Sequence, residues 1–246
     1  MPNFSVILPA AGKSSRFKDK HYKKPFANLA GRAVWIHAAE KFLNRDDSAQ
    51  LILVIGAEDR EQFDMKFSAN AAIMGITVVE GGQQRADSIE NALAKVSQKA
   101  DFVAVHDAAR PCLAAEWIDR VFDVAQKTGA AMLAIPVTGT LKRVSRERVV
   151  EETLARQDVW EAQTPQVFRR ELLVEAYARR EGLAATDDAQ LVEQLGQPVS
   201  IVMGSPLNLK ITTKEDLRLA EQALKLLPKP KLDGPTHPFA GDDMWR

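Results

Sequence analysis

Six short runs of apolar residues, separated by stretches with a helical period, leave this chain few folds to choose from. The runs cover residues 4–8, 51–55, 76–79, 102–105, 130–135 and 199–203. A strand with one solvated face alternates apolar and polar residues, whereas a continuous apolar run suits a strand covered on both faces. Between the runs, Trp35, Ala38, Ala39 and Phe42 fall at i, i+3, i+4 and i+7. The same spacing joins Ile89, Ala92, Leu93 and Val96, and again Ile118, Val121, Phe122 and Ala125. A last helix is predicted from about Lys214, with Leu217, Ala220 and Leu224 on one side. Strand–helix alternation predicts an α/β fold with right-handed crossovers and a mostly parallel sheet. Ligands of such sheets bind beyond the carboxyl ends of the strands, so the residues that follow each run are the first candidates for chemistry.

Two stretches depart from the alternation. Residues 137–168 mix polar, charged and β-branched residues without a strong helical period. They read as strands that leave the sheet, an arm. Residues 228–246, rich in Pro, Gly and Asp, read as a loose tail. The expected organisation is therefore one domain over residues 1–227, arm included, and a tail after it. Lys plus Arg and Asp plus Glu both number 33. That balance argues against nonspecific nucleic-acid binding, which needs a basic excess. The single cysteine, Cys112, rules out an intrachain disulfide and fits a reducing cytoplasm. No stretch has the length of a membrane span, and the apolar run near the start is too short for a signal-peptide core.

Three loops after strands carry chemistry-bearing residues. Pro9-Ala10-Ala11-Gly12-Lys13-Ser14-Ser15-Arg16 follows the first run. Small residues let backbone N–H groups approach a phosphate closely, and Lys13 and Arg16 add charge; an ordinary strand–helix loop is the competing reading. The loop lacks the glycines of a Walker A or dinucleotide fingerprint. Lys23, Lys24 and Pro25 follow, a pair of cations that by themselves read as a solvated charge run. Gly81-Gly82-Gln83-Gln84-Arg85-Ala86-Asp87-Ser88 follows the third run and can frame a base or ribose, although Ser88 serves equally as an early helix residue. His106-Asp107-Ala108-Ala109-Arg110-Pro111 follows the fourth. There an acid and two cations meet a strand end, or Asp107 caps a helix. Cys112 reads as packing. The four histidines show no metal-ligand spacing, so no protein metal site is expected. Lys210 stands among apolar residues of a predicted strand and needs an anionic partner or solvent.

Taken together and in order, these motifs resemble the methylerythritol phosphate cytidylyltransferase family from about Val6 to Leu224. Pro136-Val137 with Thr140-Leu141-Lys142, Gln163-Thr164-Pro165-Gln166, Thr186-Asp187-Asp188 and Leu209-Lys210-Ile211-Thr212 extend the match. The resemblance implies a Rossmann-like three-layer nucleotidyltransferase fold, with a mostly parallel sheet and a protruding β-arm. It also implies transfer of CMP from CTP to 2-C-methyl-D-erythritol 4-phosphate, with Mg²⁺ held mainly by the CTP phosphates, in a cytoplasmic homodimer joined through the arm. By the same resemblance Ala10, Ala11 and Gly12 wrap the triphosphate, and Arg16 and Lys24 stabilise charge at the α-phosphorus. Gly81, Gly82, Arg85 and Ser88 hold cytosine and ribose. Asp107, Ala108 and Arg110 line the floor, and Thr140, Arg156, Thr164, Thr186 and Lys210 place the acceptor, with Arg156 reaching in from a second subunit. The chain departs from the family pattern at Ser14 and Ser15, where a second glycine is usual, and at Lys23-Lys24-Pro25, where Pro-Lys-Gln is usual. A sister enzyme acting on ribitol 5-phosphate shares the CTP motifs.

Overall fold

In the computed structural model, which describes residues 2–12, 17, 23–183 and 185–228, the apolar runs become the strands of one sheet. The chain begins with β1 (Phe4–Pro9), a small hairpin of β2 (Asn28–Leu29) and β3 (Arg32–Ala33), and α1 (Val34–Leu43). It continues through β4 (Ser48–Ile55), α2 (Arg60–Ile73), β5 (Thr77–Glu80), α3 (Arg85–Leu93), β6 (Phe102–Val105), α4 (Ala115–Thr128) and β7 (Ala130–Pro136). Then follow β8 (Leu141–Val144), β9 (Val150–Leu154), β10 (Trp160–Arg169), α5 (Arg170–Ala178), α6 (Asp188–Gln194), β11 (Ser200–Met203) and α7 (Lys214–Leu226). The sheet has seven strands in the order β11-β7-β10-β6-β1-β4-β5. Neighbours run parallel except around β10, which is antiparallel to both β6 and β7.

Both faces of the sheet are buried, as continuous apolar strands require. One face sends Phe4, Val6, Leu8, Leu53 and Phe102 against Trp35 and Phe42 of α1 and Trp117, Val121 and Phe122 of α4. The other sends Ile7, Ile52, Val54, Val103 and Val105 against Ile89 of α3, Leu173 and Tyr177 of α5 and Leu191 of α6. The result is helix–sheet–helix layering. The last helix, α7, packs Ala220 and Ala223 against Leu29, Val34, Cys112 and Ile211, beside the carboxyl end of β6.

The structure corrects four expectations. The excursion from the sheet is shorter than residues 137–168, because β10 returns into the middle of the sheet. Its sequence hides this: Pro165 cannot donate to a ladder and is unusual in a central strand. The β10–β7 register breaks between Ala162 and Gln166, so Gln163, Thr164 and Pro165 bulge out of the pairing. Within residues 137–168, only β8 and β9 stay outside the sheet, as a two-stranded hairpin. Lys210 lies in the loop between β11 and α7, not in a strand, and Ile211 N–H donates to the Ala109 carbonyl at 2.8 Å. Asp107 caps no helix, since α4 begins only at Ala115. The helical period through Val96 also outruns α3, which ends at Leu93, although Val96 stays buried. The tail from residue 229 onward and Arg16 lie outside the described residues.

Candidate active site

A cleft of about 780 Å³ opens at the carboxyl ends of β1, β4, β5 and β6. It sits where the chain order reverses across β1, the place where open α/β sheets bind ligands. Its walls come from Pro9–Gly12 after β1, Gly56–Glu58 after β4, Gly81–Arg85 with Ser88 after β5, and Asp107 and Ala109 after β6. Lys24, Pro25 and Lys210 complete the lining. Three of the lining residues are cations, Lys24, Arg85 and Lys210, and two are acids, Glu58 and Asp107.

The loops meet through close backbone approach. A Cβ on Gly81 would stand 2.6 Å from the Ala11 Cβ and 2.7 Å from the Ser88 Oγ. No other side chain fits between the first loop and α3. The Ser88 hydroxyl accepts from the Gly82 N–H at 3.1 Å and donates to the Gln84 carbonyl at 3.0 Å. Gln84 and Asp87 form a capping box at the start of α3. Ser88 is thus an early helix residue that also braces the glycine loop.

Asp107 is the electrostatic centre of the floor. Lys210 Nζ stands 2.7 Å and Arg110 Nε 3.5 Å from its Oδ2. Burial pushes the Asp107 carboxyl up, but the charges of Lys210, Arg85 and Arg110 outweigh it and hold the group well below the usual carboxylate range. Lys210 therefore has the anionic partner its apolar setting demands, and it also lines the cleft.

Behind Asp107 lies a buried polar network. His106 Nε2–H donates to the Arg110 carbonyl at 3.0 Å, which leaves Nδ1 to accept from the Thr164 hydroxyl at 3.1 Å. The same hydroxyl accepts from the Asp107 N–H at 3.1 Å. Burial lowers the His106 imidazole to about 4, so it is neutral near pH 7. Arg110 donates to the Asn208 carbonyl at 2.7 Å, and Asn208 Nδ2 donates to the Thr164 carbonyl at 2.8 Å. Gln163 Nε2 donates to the Ser205 carbonyl at 2.9 Å. The β10 bulge supplies both Gln163 and Thr164. Bulges recur beside active sites for this reason: they re-aim side chains out of the ladder.

The two adjacent lysines separate. Lys23 is held by Glu58 at 2.5 Å and by Asp59 at 2.8 Å, while Lys24 lines the cleft. Arg85 pairs with Asp188 at 3.1 and 2.6 Å.

Of the residues expected from sequence, Ala10, Ala11, Gly12, Lys24, Gly81, Gly82, Arg85, Ser88, Asp107 and Lys210 share the cleft. Ala108, Arg110 and Thr164 are buried behind the floor. Ala108 N–H donates to the Pro9 carbonyl at 3.4 Å. Thr140, Arg156 and Thr186 do not line the cleft within this chain. Arg156 is exposed and donates to the Thr138 carbonyl, and Thr186 donates to Gln190 Oε1 through both N–H and hydroxyl. Four residues of the site, Glu58, Gln166, Asp188 and Asn208, are not among those expected from the sequence. Gln166 and Asp188 stand inside the motifs Gln163–Gln166 and Thr186–Asp188, Asn208 directly precedes Leu209–Thr212, and an acid two residues after Gly56 at a strand end is a readable signal for Glu58.

The buried Cys112 thiol, pushed up to about 12 by burial, is no nucleophile, and the neutral His106 is sealed from the cleft. Among the described residues no three His, Cys, Asp or Glu side chains group as metal ligands. The cleft can bind an anion and stabilise growing negative charge without a covalent intermediate.

The sequence profile of the family described as IspD, 2-C-methyl-D-erythritol 4-phosphate cytidylyltransferase, matches residues 4–226. A 2-C-methyl-D-erythritol 4-phosphate cytidylyltransferase of Rhodopirellula baltica is 44% identical over 231 residues, 89% of this chain and 94% of that protein. One from Bacillus pumilus is 41% identical over 221 residues, 89% of this chain and 95% of that protein. The crystal structure of the Thermus thermophilus protein of the same name superposes with a TM-score of 0.73 at 34% identity, covering 92% of this chain and all of that one (100%).

Proposed function

Because the chain belongs to the 2-C-methyl-D-erythritol 4-phosphate cytidylyltransferase family, we propose that the cleft at the carboxyl edge of its sheet is where CTP meets its acceptor. The protein transfers CMP from CTP to 2-C-methyl-D-erythritol 4-phosphate, giving 4-diphosphocytidyl-2-C-methyl-D-erythritol and pyrophosphate, in isoprenoid precursor synthesis. The assignment of the cleft rests on one observation: Lys24, Arg85 and Lys210 converge with the backbone of the loop 10–12 on a single cavity.

In this reading the triphosphate lies against Ala10, Ala11 and Gly12, with Lys24 and Arg16 beside the α-phosphorus. Cytosine and ribose lie against Gly81, Gly82, Arg85 and Ser88, over the floor made by Asp107, with Ala108 buried behind it. Arg110 and Thr164 hold that floor. Lys210 orients the acceptor, with Thr140, Thr186 and an Arg156 contributed by a second copy of the chain. An acceptor phosphate oxygen attacks the α-phosphorus, the bond to the β-phosphate breaks, and pyrophosphate leaves in line. The attacking phosphate is already ionised near pH 7, so no general base is required. Fixed cations act because negative charge grows on the nonbridging and leaving oxygens, and they bind the transition state more tightly than the ground state.

Mg²⁺ belongs to the same proposal as a companion of the triphosphate. It characteristically keeps several waters and binds through substrate phosphates and one or two carboxylates, and Asp107 and Glu58 are the carboxylates on the cleft. One catalytic domain over residues 1–227, a homodimer joined through the β8–β9 arm, and a cytoplasmic location complete the reading. The dimer is supported by the exposed cross-strand pair Val144 and Val150 on the arm.

The test is pyrophosphate release from CTP against a panel of polyol phosphates. Methylerythritol phosphate should turn over and ribitol 5-phosphate should not. UTP should replace CTP poorly, because a site built on hydrogen bonds to the cytosine edge leaves them unpaired with uracil. Comparable turnover with UTP would remove the cytosine assignment.

A further inference from the structure

The Arg85 guanidinium is gripped from behind by a carboxylate that no solvent reaches. Asp188 is 0% exposed, and its two oxygens take Arg85 Nη1 at 3.1 Å and Nη2 at 2.6 Å. The Tyr177 hydroxyl donates to the same carboxylate at 2.6 Å. The Asp188 and Ala189 N–H groups donate to Gln166 Oε1 at 3.1 and 3.0 Å, and Gln166 Nε2 donates to Asp187 at 2.9 Å. The carboxylate is thus held by Tyr177 from α5, and its backbone by Gln166 from β10.

A buried ion pair used only for stability is a poor bargain, because desolvation offsets most of the attraction. This pair is asymmetric in a way that points to the cleft. Arg85 lines it with a side chain 27% exposed, while Asp188 is wholly enclosed. A guanidinium carries five N–H donors; the two facing Asp188 are its hydrogen bonds to protein among the described residues, which leaves three for a ligand. Arg85 also acts electrostatically on Asp107, whose ion-pair partners are Lys210 and Arg110. Charge thus alternates from Asp188 through Arg85 and Asp107 to Lys210, from the outer helix layer into the floor of the cleft.

We propose that Asp188 is a positioning residue for the nucleotide: with Tyr177, it fixes the plane and direction of the Arg85 guanidinium, so that Arg85 meets bound CTP in one orientation. A planar fork held bidentately keeps its remaining donors in a set direction, which a lysine at the same place does not. The inference rests on the cleft being the CTP site.

Steady-state pyrophosphate release from CTP and methylerythritol phosphate tests it. Asp188→Asn keeps the shape and the Tyr177 contact but loses the charge. It should raise KM for CTP about tenfold, the scale of one charge-assisted hydrogen bond, and leave KM for the acceptor within about twofold. Arg85→Lys should do the same with Asp188 intact. The double variant Arg85→Met with Asp188→Asn should be no worse in kcat/KM for CTP than Arg85→Met alone, since one residue acts through the other. Multiplying effects, or a fall in melting temperature with an unchanged KM for CTP, overturns the proposal. Tyr177→Phe leaves no charge unpaired and guards against variants that do not fold; it removes a hydrogen bond to the carboxylate but keeps the Arg85–Asp188 pair, so it should raise KM for CTP about two- to threefold, less than Asp188→Asn, and no change there also overturns it. Gly81→Ala serves as the control on the cleft itself. If it leaves KM for CTP unaltered, the nucleotide site lies elsewhere; if it raises that KM while Asp188→Asn does not, only the role of Asp188 fails.

Discussion

Lys23 and Lys24 are neighbours in sequence and opposites in environment. Burial alone would lower the Lys23 ammonium, but hydrogen bonds and charge from Asp59 and Glu58 outweigh it and raise it. Lys23 is occupied in tying its segment to the end of β4, and Lys24 is delivered to the cleft. Lys24→Ala should lower turnover about 10²–10³-fold, the usual loss for one transition-state donor, while Lys23→Ala should mainly lower the melting temperature. Kinetics and calorimetry on the two variants check this, and a dead Lys23→Ala with an active Lys24→Ala would reverse the assignment. His106 makes a second prediction at this scale. Its folded value of about 4 lies below the ordinary 6.5, so the folded state resists a proton that the unfolded chain accepts. The contribution is fully present above pH 6.5 and is lost as pH falls from 6.5 to 4, on the order of 3 kcal/mol. Urea unfolding across that window should show wild type losing stability more steeply than His106→Asn. Parallel slopes would mean that the imidazole titrates normally.

At the level of elements, what the sequence disclosed depended on how uniform each environment is. The strands β1, β4, β6 and β7 are buried on both faces, and their apolar runs announced them. Strand β10 is just as central, yet it starts with the exposed Trp160 and Glu161 and carries Pro165 at its bulge, so its pattern matches neither period. The cleft loops were legible because small residues and cations cluster after strands. The network behind them was not, since Gln163, Thr164, Gln166, Asp188 and Asn208 are brought together only by the β10 bulge and the turn into α6. The arm shows the converse case. It was readable as a departure from alternation, and β8 pairs with β9 so that Val144 faces Val150, both more than half exposed at 51% and 56%. A lone two-stranded hairpin is marginal in water, so this apolar pair should be covered by another copy. Replacing both valines with lysine should shift the protein from dimer to monomer in sedimentation velocity with the circular dichroism spectrum preserved. An unmoved sedimentation coefficient would place the interface elsewhere.

For the molecule as a whole, the question is whether one chain holds a complete site. The cleft gathers the residues proposed for the nucleotide in a single chain, but Arg156 is exposed on the segment after β9 and points its guanidinium at its own Thr138 carbonyl, outside the cleft lining. Two arrangements accommodate this. Either Arg156 is surface charge, or it completes the acceptor pocket of a partner related by a two-fold axis, the commonest symmetry of homo-oligomers. In a two-fold dimer with shared sites, a heterodimer of Arg156→Ala and Lys210→Ala subunits collects both lesions in one site and leaves the other intact. Each variant alone should be strongly impaired, because each homodimer lacks a cation in both sites. Mixing them under conditions where exchange is demonstrated, by differently tagged subunits co-purifying, should restore activity toward about a quarter of wild type at statistical exchange, since half of the dimers then carry one whole site. The shared pocket also predicts that Arg156→Ala raises KM for the acceptor and leaves CTP binding near normal, as its chain's own cleft is untouched. Exchange without recovery would assign Arg156 to its own subunit, and full activity of Arg156→Ala alone would leave it as surface charge.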